Sequence, residues 1–579
     1  MTVRYLAILA ADGPSDADPS SDVFRAALRG LGLHRTLTLD GISVFTSMQT
    51  PTLDLPSGGV LLGHVFNRRF QPLRFADGIP SHLSGHELTS FILEHYWGEY
   101  VLLLPGQGGE GKTTVVRDPS GAVPCVFSTD GRFVTSDLSL ATRSGIHQRR
   151  INWDFIAHYL QYPHAKTRAT GLQGIEELLP GCALHVRSRK ASVSPVWFPW
   201  HYVRTDERHV SPEEAATSVR STVEGVTQAL ADTDRSILLE ASGGLDSTIV
   251  GACLRGTGAD VSCLTLVTPV PGADERRYAG LIAAGLGVPL NDQILSFDAA
   301  DFESKPPGDL PVPAVTAFQH AIDRIVVDAA TAAGVSSLYS GGGGDTVFGS
   351  LASASPAADA VKELGIRRGL STMMSLSEIH RCTFWKAAGL SVRKLVHPTR
   401  APRKPDTSLL RPSLETMAVE EHPWWQLPPE TLPGDRERII DLAGTQVFRD
   451  GAPRRYRFAL RLPLLSQPVM EECLRVPSWM WLLGGRNRAI ARNAFSDVLP
   501  EAVARRRSKG NFTHYIGGIY QRQKHAMRNM LIEGELQARG LVDPEAVAAF
   551  VERPLLPRDK TFLRMFDLAM VENWVRHQG

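Results

Sequence analysis

The sequence predicts two architectures in series: an α+β layered domain over residues 1–203, then an α/β domain over 204–579 built on a doubly wound parallel sheet. Three observations predict this. The chain has 579 residues, more than one hydrophobic core ordinarily supports, so it divides. Residues 1–200 are mostly short β-type runs punctuated by turn residues. From about 211 strands alternate with helices, the pattern of βαβ crossovers in a parallel sheet.

In the first region YVLLL (100–104), TTVVRD (113–118) and CALHV (182–186) read as strands, while residues 87–97 and 151–161 carry helical periodicity. Residues 197–212 read as a linker. The second region gives a helix at 212–230, a strand at 237–241, a helix after Ser247, a strand at 262–268, a helix at 274–287 and a strand at 294–297. An irregular insertion is expected at 350–435, where 352–358 and 397–412 read as mobile and 422–434 as a Pro-stiffened loop. There is no internal repeat.

Composition narrows the function. Hydrophobic content of 43% and charged content of 21% are those of an ordinary soluble globular protein. Lys+Arg of 62 against Asp+Glu of 61 leaves no global field that would favour nucleic acid or an anionic membrane, so neither is expected as a partner and any electrostatic specialisation is local. The six cysteines (Cys125, Cys182, Cys253, Cys263, Cys382, Cys473) form no CxxC pair, which argues against structural zinc and a disulfide framework and for a reducing cytoplasm. The opening MTVRYLAILAADG is too short in apolar residues for a signal sequence, and no run reaches the length of a membrane span.

Residues 236–250, SILLEASGGLDSTIV, run from an apolar strand through Ser242-Gly243-Gly244-Leu245-Asp246-Ser247 into a helix. Small residues let main-chain N–H groups close on an anion, and the helix N-terminus adds partial positive charge. An ordinary strand-to-helix turn is the alternative. A second glycine cluster, LYSGGGGDTVFGS (338–350), follows another apolar run and ends in Asp345, for which helix capping is the alternative. A third, GQGGEGKT (106–113), satisfies the expression GxxxxGK[ST], but β-branched residues follow Lys112 where a phosphate-binding loop needs a helix, so a hairpin between 100–104 and 113–117 fits better.

The SGGLDS string resembles the pyrophosphatase loop of the ATP-dependent amide synthetases related to asparagine synthetase, which make acyl-adenylates and release pyrophosphate. The SGGGGD segment resembles that family's second loop. The resemblance implies that Ala241, Ser242, Gly243, Gly244, Asp246 and Ser247 contact ATP, with Thr265 near adenine and Ser340 and Gly341 on the other side. It implies Asp246 and Asp345 as the magnesium ligands; magnesium binding through one or two carboxylates plus substrate phosphates is chemically reasonable. Residues 457–481 and 484–512 resemble the stretch leading to the family's catalytic lysine, here Lys509, whose ammonium would meet negative charge at the α-phosphate and on a tetrahedral oxyanion. Arg505, Arg506 and Arg507 would screen pyrophosphate or form a solvated basic run.

WGEYVLLL, VVRDPSGAVPCVF and GIEELLPGCALHV look like landmarks of the Ntn-type glutamine amidotransferase domain that precedes the synthetase domain in asparagine synthetases. Position 2 is Thr2, where that chemistry needs an N-terminal cysteine, so a degenerate scaffold domain without glutamine hydrolysis is expected. Relatives lacking the cysteine include β-lactam synthetases and lasso peptide cyclases. Position 342 carries Glu in asparagine synthetases and Tyr in β-lactam synthetases; Gly342 here is expected to leave more room and to remove the known base. Glu240 is the remaining candidate base, against the alternative of a strand-end carboxylate satisfied by main-chain donors.

The chain resembles lasso cyclases in the acidic residue ahead of the first loop, Glu240-Ala241-Ser242-Gly243-Gly244, and in the HPWW…PG tract of 422–434. That resemblance implies an ATP- and magnesium-dependent macrolactam synthetase that adenylates an Asp or Glu side chain of a precursor core peptide and joins it to the peptide's N-terminal amine. A β-lactam synthetase or another amide ligase acting on a small amino acid is the alternative within the class, and a non-catalytic nucleotide-binding module the one outside it. The implied partners are the precursor peptide and the leader peptidase and leader-binding protein of the same peptide-antibiotic pathway.

Overall fold

The computed structural model describes residues 2–9, 21–106, 112–163, 165–270, 274–306, 310–350, 352–399, 404–418, 420–426, 428, 430–506, 510, 512–556 and 558–578. Its first 195 residues hold two six-stranded antiparallel sheets. One runs in the order Ile175–Glu177, Val126–Ser128, Phe133–Thr135, Tyr5–Leu9, Ile42–Thr46, Arg35–Leu39. The other runs Lys190–Pro195, Cys182–Arg187, Thr113–Arg117, Tyr96–Leu104, Val60–Asn67, Thr52–Asp54. Strand alternation explains how they stack. From Tyr5–Leu9, residues Tyr5, Ala7 and Leu9 face Val60, Leu62, Val101 and Leu184 of the second sheet, while Leu6 and Ile8 face outward. Helix Gly85–His95 covers the outer face of the second sheet with Leu88 and Ile92. The expected α+β layering is therefore present, and residues 100–104 and 113–117 do pair as an antiparallel hairpin. Lys112 stands exposed at the foot of a strand rather than at a helix N-terminus.

The second region is built on a five-stranded parallel sheet ordered Leu290–Ile294, Asp260–Val267, Ser236–Glu240, Ser337–Ser340, Ala459–Arg461. The central strands Ser236–Glu240 and Ser337–Ser340 are buried on both faces and carry short apolar runs, whereas the edge strand Leu290–Ile294, LNDQI, is largely exposed. Ile237 and Leu239 point toward helices Pro212–Ala231 and Leu245–Cys253, and Leu238 points toward helix Ala317–Ala332. Chain order reverses between Ser236–Glu240 and Ser337–Ser340, so a crevice opens beyond their carboxyl ends, where both SGG segments lie.

Three expectations are corrected. The edge strand is Leu290–Ile294 rather than 294–297: pairing ends at Val267↔Ile294 and Phe297–Ala299 is a 3-10 turn. The insertion at 350–435 is not wholly irregular, because Ser355–Leu364, Ile366–His380 and Phe384–Val396 are helices packed on one another. Pro356 sits in the first turn, where its missing N–H costs nothing, so it starts a helix rather than breaking one. Residues 197–212 are no free tether: Trp197 and Trp200 are buried, donating their indole N–H groups to Glu471 Oε1 at 3.0 Å and to the Trp424 carbonyl at 2.8 Å.

The two regions share a core. Helices Thr513–Ile532 and Leu563–Arg576 pack Tyr515, Ile519, Met565 and Trp574 against Phe133, Phe155 and Ile156 of the first region. Among the described residues no helix is long and apolar enough to cross a membrane.

Candidate functional site

The loop after Ser236–Glu240 turns because Gly243 adopts φ +68°, a left-handed conformation that glycine takes without steric cost. A Cβ there would lie 2.7 Å from Tyr278 Cβ. Gly244 caps helix Leu245–Cys253, and the Thr248 hydroxyl donates back to the Gly244 carbonyl at 2.7 Å. Asp246 and Ser247 therefore enter the first helical turn, buried, with the Ser247 hydroxyl 3.0 Å from that of Ser242.

The second loop lies directly on the first. A Cβ on Gly341 would stand 2.4 Å from the Ser247 main-chain N, and one on Gly344 would stand 2.4 Å from Asp246 Cγ. This close approach, more than turn geometry, demands glycine. Gly341→Ala forces backbone against backbone, so it is expected to push the loops apart at a cost of about 1–3 kcal/mol in urea unfolding; unchanged stability would refute the contact.

A cleft of about 600 Å³ opens over both loops. Ala241, Ser242, Asp246, Ser247, Thr265, Ser340, Gly341 and Asp345 all line it, while Gly243 and Gly244 shape the turn behind. Lys509 and Arg507 lie outside the described residues; their neighbours Gly510 and Phe512 line the cleft. The arginine run divides: Arg505 pairs with Glu501 in solvent, whereas Arg506 pairs with Glu275, covers the Tyr278 ring at 3.9 Å and donates to the Gly243 carbonyl at 3.1 Å.

Asp246 and Asp345 come together, joined by a residue that the sequence reading missed. Arg488 Nη1 donates to Asp246 Oδ1 at 3.0 Å, Asp246 Oδ2 at 3.1 Å and Asp345 Oδ1 at 2.8 Å. Arg488 holds φ +53°, an uncommon conformation for a side-chain-bearing residue, just ahead of helix Ala489–Ala494. Nothing in GGRNR marked it, since its partners are about 140 and 240 positions away. Among the described residues no three His, Cys, Asp or Glu side chains gather so as to hold a metal ion. Two carboxylates suit magnesium only when substrate phosphates supply most of the remaining ligands.

Deeper in the cleft Arg454 bridges two acids. It donates to Glu240 Oε1 at 3.0 Å and Oε2 at 3.2 Å, and to Asp323 through its guanidinium and, at 2.6 Å, its main-chain N–H. Glu240 is thus satisfied by a side chain, not by the expected main-chain donors. Burial pushes the Glu240 and Asp323 carboxyl groups above the usual carboxylate range, an effect that Arg454 opposes without cancelling.

Position 342 is also corrected. A Cβ there would stand 2.8 Å from Phe448 Cε1 and 3.2 Å from Leu462 Cδ2, so the expected extra room is taken by the Phe448 ring from helix Pro433–Asp450. Phe318, Phe448 and Phe512 all line the cleft, Phe448 at Gly342 and Phe318 against Phe512. A protein-family model described as asparagine synthase matches residues 218–576. No curated protein matches the chain.

Proposed function

The chain belongs to the asparagine synthase family of ATP-dependent amide ligases, and from that premise we propose that it closes a macrolactam ring on a peptide. The observation that carries the finer reading is position 342. Where the resemblance implies a Glu or Tyr side chain in relatives acting on small molecules, this cleft has Gly342 backed by Phe448, an aromatic wall suited to a carbon-rich chain. In this reading the N-terminal domain, Ntn-like in type, serves as scaffold over 1–203.

A peptide Asp or Glu carboxylate attacks the α-phosphorus of ATP and pyrophosphate leaves. The peptide's own N-terminal amine then attacks the acyl-adenylate, AMP departs with the carboxylate oxygen, and the amine proton goes to a base. The main-chain N–H groups of the SGGLDS turn and the N-terminus of helix Leu245–Cys253 would take the phosphates. Magnesium, held by Asp246 and Asp345, would neutralise phosphate charge when bound with the nucleotide. Lys509 would meet the developing negative charge. Glu240 keeps 22% side-chain exposure, and its raised carboxyl range makes it a stronger proton acceptor than an ordinary carboxylate. Holding both reacting groups on one chain provides effective molarities of about 10⁵–10⁸ M.

The test is incubation of the full chain with ATP, magnesium and synthetic peptides bearing a free N-terminus and one internal Asp or Glu. The expected result is pyrophosphate and AMP release with a peptide product lighter by one water and resistant to N-terminal labelling. Turnover confined to small amino acids would overturn the peptide reading.

A further inference from the structure

Charge balances over the whole chain, at +1, but not within it. Residues 362–399 hold seven Lys and Arg against Glu363 and Glu378, a local net charge of +5. Glu363 is engaged by Arg208, and Lys394 by Glu437. Among the described residues Arg367, Arg368, Lys386 and Arg393 have no ion-pair partner, and all four are exposed.

The same segment concentrates exposed apolar side chains. On helix Ile366–His380, Ile366, Leu370 and Met374 recur at intervals of four, 70%, 42% and 56% exposed. On helix Phe384–Val396, Trp385, Val392 and Val396 fall on one stripe, 81%, 54% and 66% exposed. Helical spacing places Arg367 three positions from Leu370 beside the first stripe and Arg393 three positions from Val396 beside the second. The buried sides of the helices are accounted for by Met373, Leu376 and Ala387, which pack against Ala354, Ala357 and Leu482. No residue of these helices lines the cleft.

We propose that these helices dock the protein peripherally on an anionic lipid surface. Cationic side chains flanking protruding Trp and aliphatic groups match headgroup charge and acyl-boundary depth together. A second copy of this chain is disfavoured, because a two-fold contact would oppose like net charges. An acidic protein would answer the charge, whereas a lipid surface answers both the charge and the protruding Trp385 and aliphatic groups. The sequence expectation of no membrane partner rested on the whole-chain balance, which conceals this patch.

Flotation of the full chain with vesicles of phosphatidylcholine alone or mixed equally with phosphatidylglycerol tests the proposal. Association is expected only with the anionic vesicles and is expected to fade as salt rises above about 0.1 M. The exposed double variant Trp385→Glu/Val396→Glu is expected to weaken it on the order of tenfold or more, with its urea unfolding midpoint unchanged. Absence of wild-type flotation, or flotation that the variant retains, overturns the proposal. Capture of soluble polyglutamate in place of vesicles, lost in Arg367→Glu/Arg393→Glu, overturns it too and assigns the face to an acidic protein.

Discussion

Replacing Asp246 by Asn is expected to lower pyrophosphate release by about 10²–10³-fold, the range for removal of one preorganised electrostatic contact to the reacting group, while the protein stays folded. Asn preserves shape and an acceptor oxygen, and Arg488 keeps Asp345 at 2.8 Å. The charge that opposes Arg488 in the buried first turn is lost. Two explanations of the loss separate experimentally. If Asp246 serves only to hold Arg488, then Arg488→Met reproduces the defect without changing the magnesium concentration needed for half-maximal rate. If Asp246 is a magnesium ligand, that concentration rises in Asp246→Asn and not in Arg488→Met. A wild-type rate in Asp246→Asn would sink both.

Arg454→Met is expected to have the largest effect on stability. It strips the counter-charge from Glu240 and Asp323 in the cleft, and breaking a buried ion pair from one side costs about 3–5 kcal/mol. The pH dependence follows. Both carboxyls titrate above the usual carboxylate range in the folded state, so the folded form binds more protons than the unfolded one, and stability falls as pH rises through the folded-state values. Without Arg454 these values climb further. The variant is therefore expected to regain stability as pH is lowered from about 8 toward 5 in urea unfolding, and Glu240→Gln/Asp323→Asn in the same background is expected to restore it at pH 8. A midpoint that does not move with pH would show that Arg454 is not the compensating charge.

Sequence-local signals carried much of the site. The strand–glycine–helix run at 236–250 and the SGGGGD segment are contiguous, and each is specified by steric rules acting within a few residues: positive φ at Gly243, a helix opening at Leu245. Strand–helix alternation likewise specified a parallel sheet, because βαβ crossovers have few alternatives. The helices of 355–396 were less legible, since their Ala-, Ser- and Pro-containing start resembles a loop when capping is not visible.

By itself, then, the sequence determined the two kinds of sheet, the crevice loops and the two acids that meet there. Only the tertiary structure decided their partners: Arg488 between Asp246 and Asp345, Arg454 between Glu240 and Asp323, Phe448 behind Gly342, and Arg506 on Glu275. The physical reason is range. Backbone sterics and hydrophobic periodicity act over a few residues, whereas ion pairs and close packing depend on distances in space that the fold sets between segments far apart in the chain.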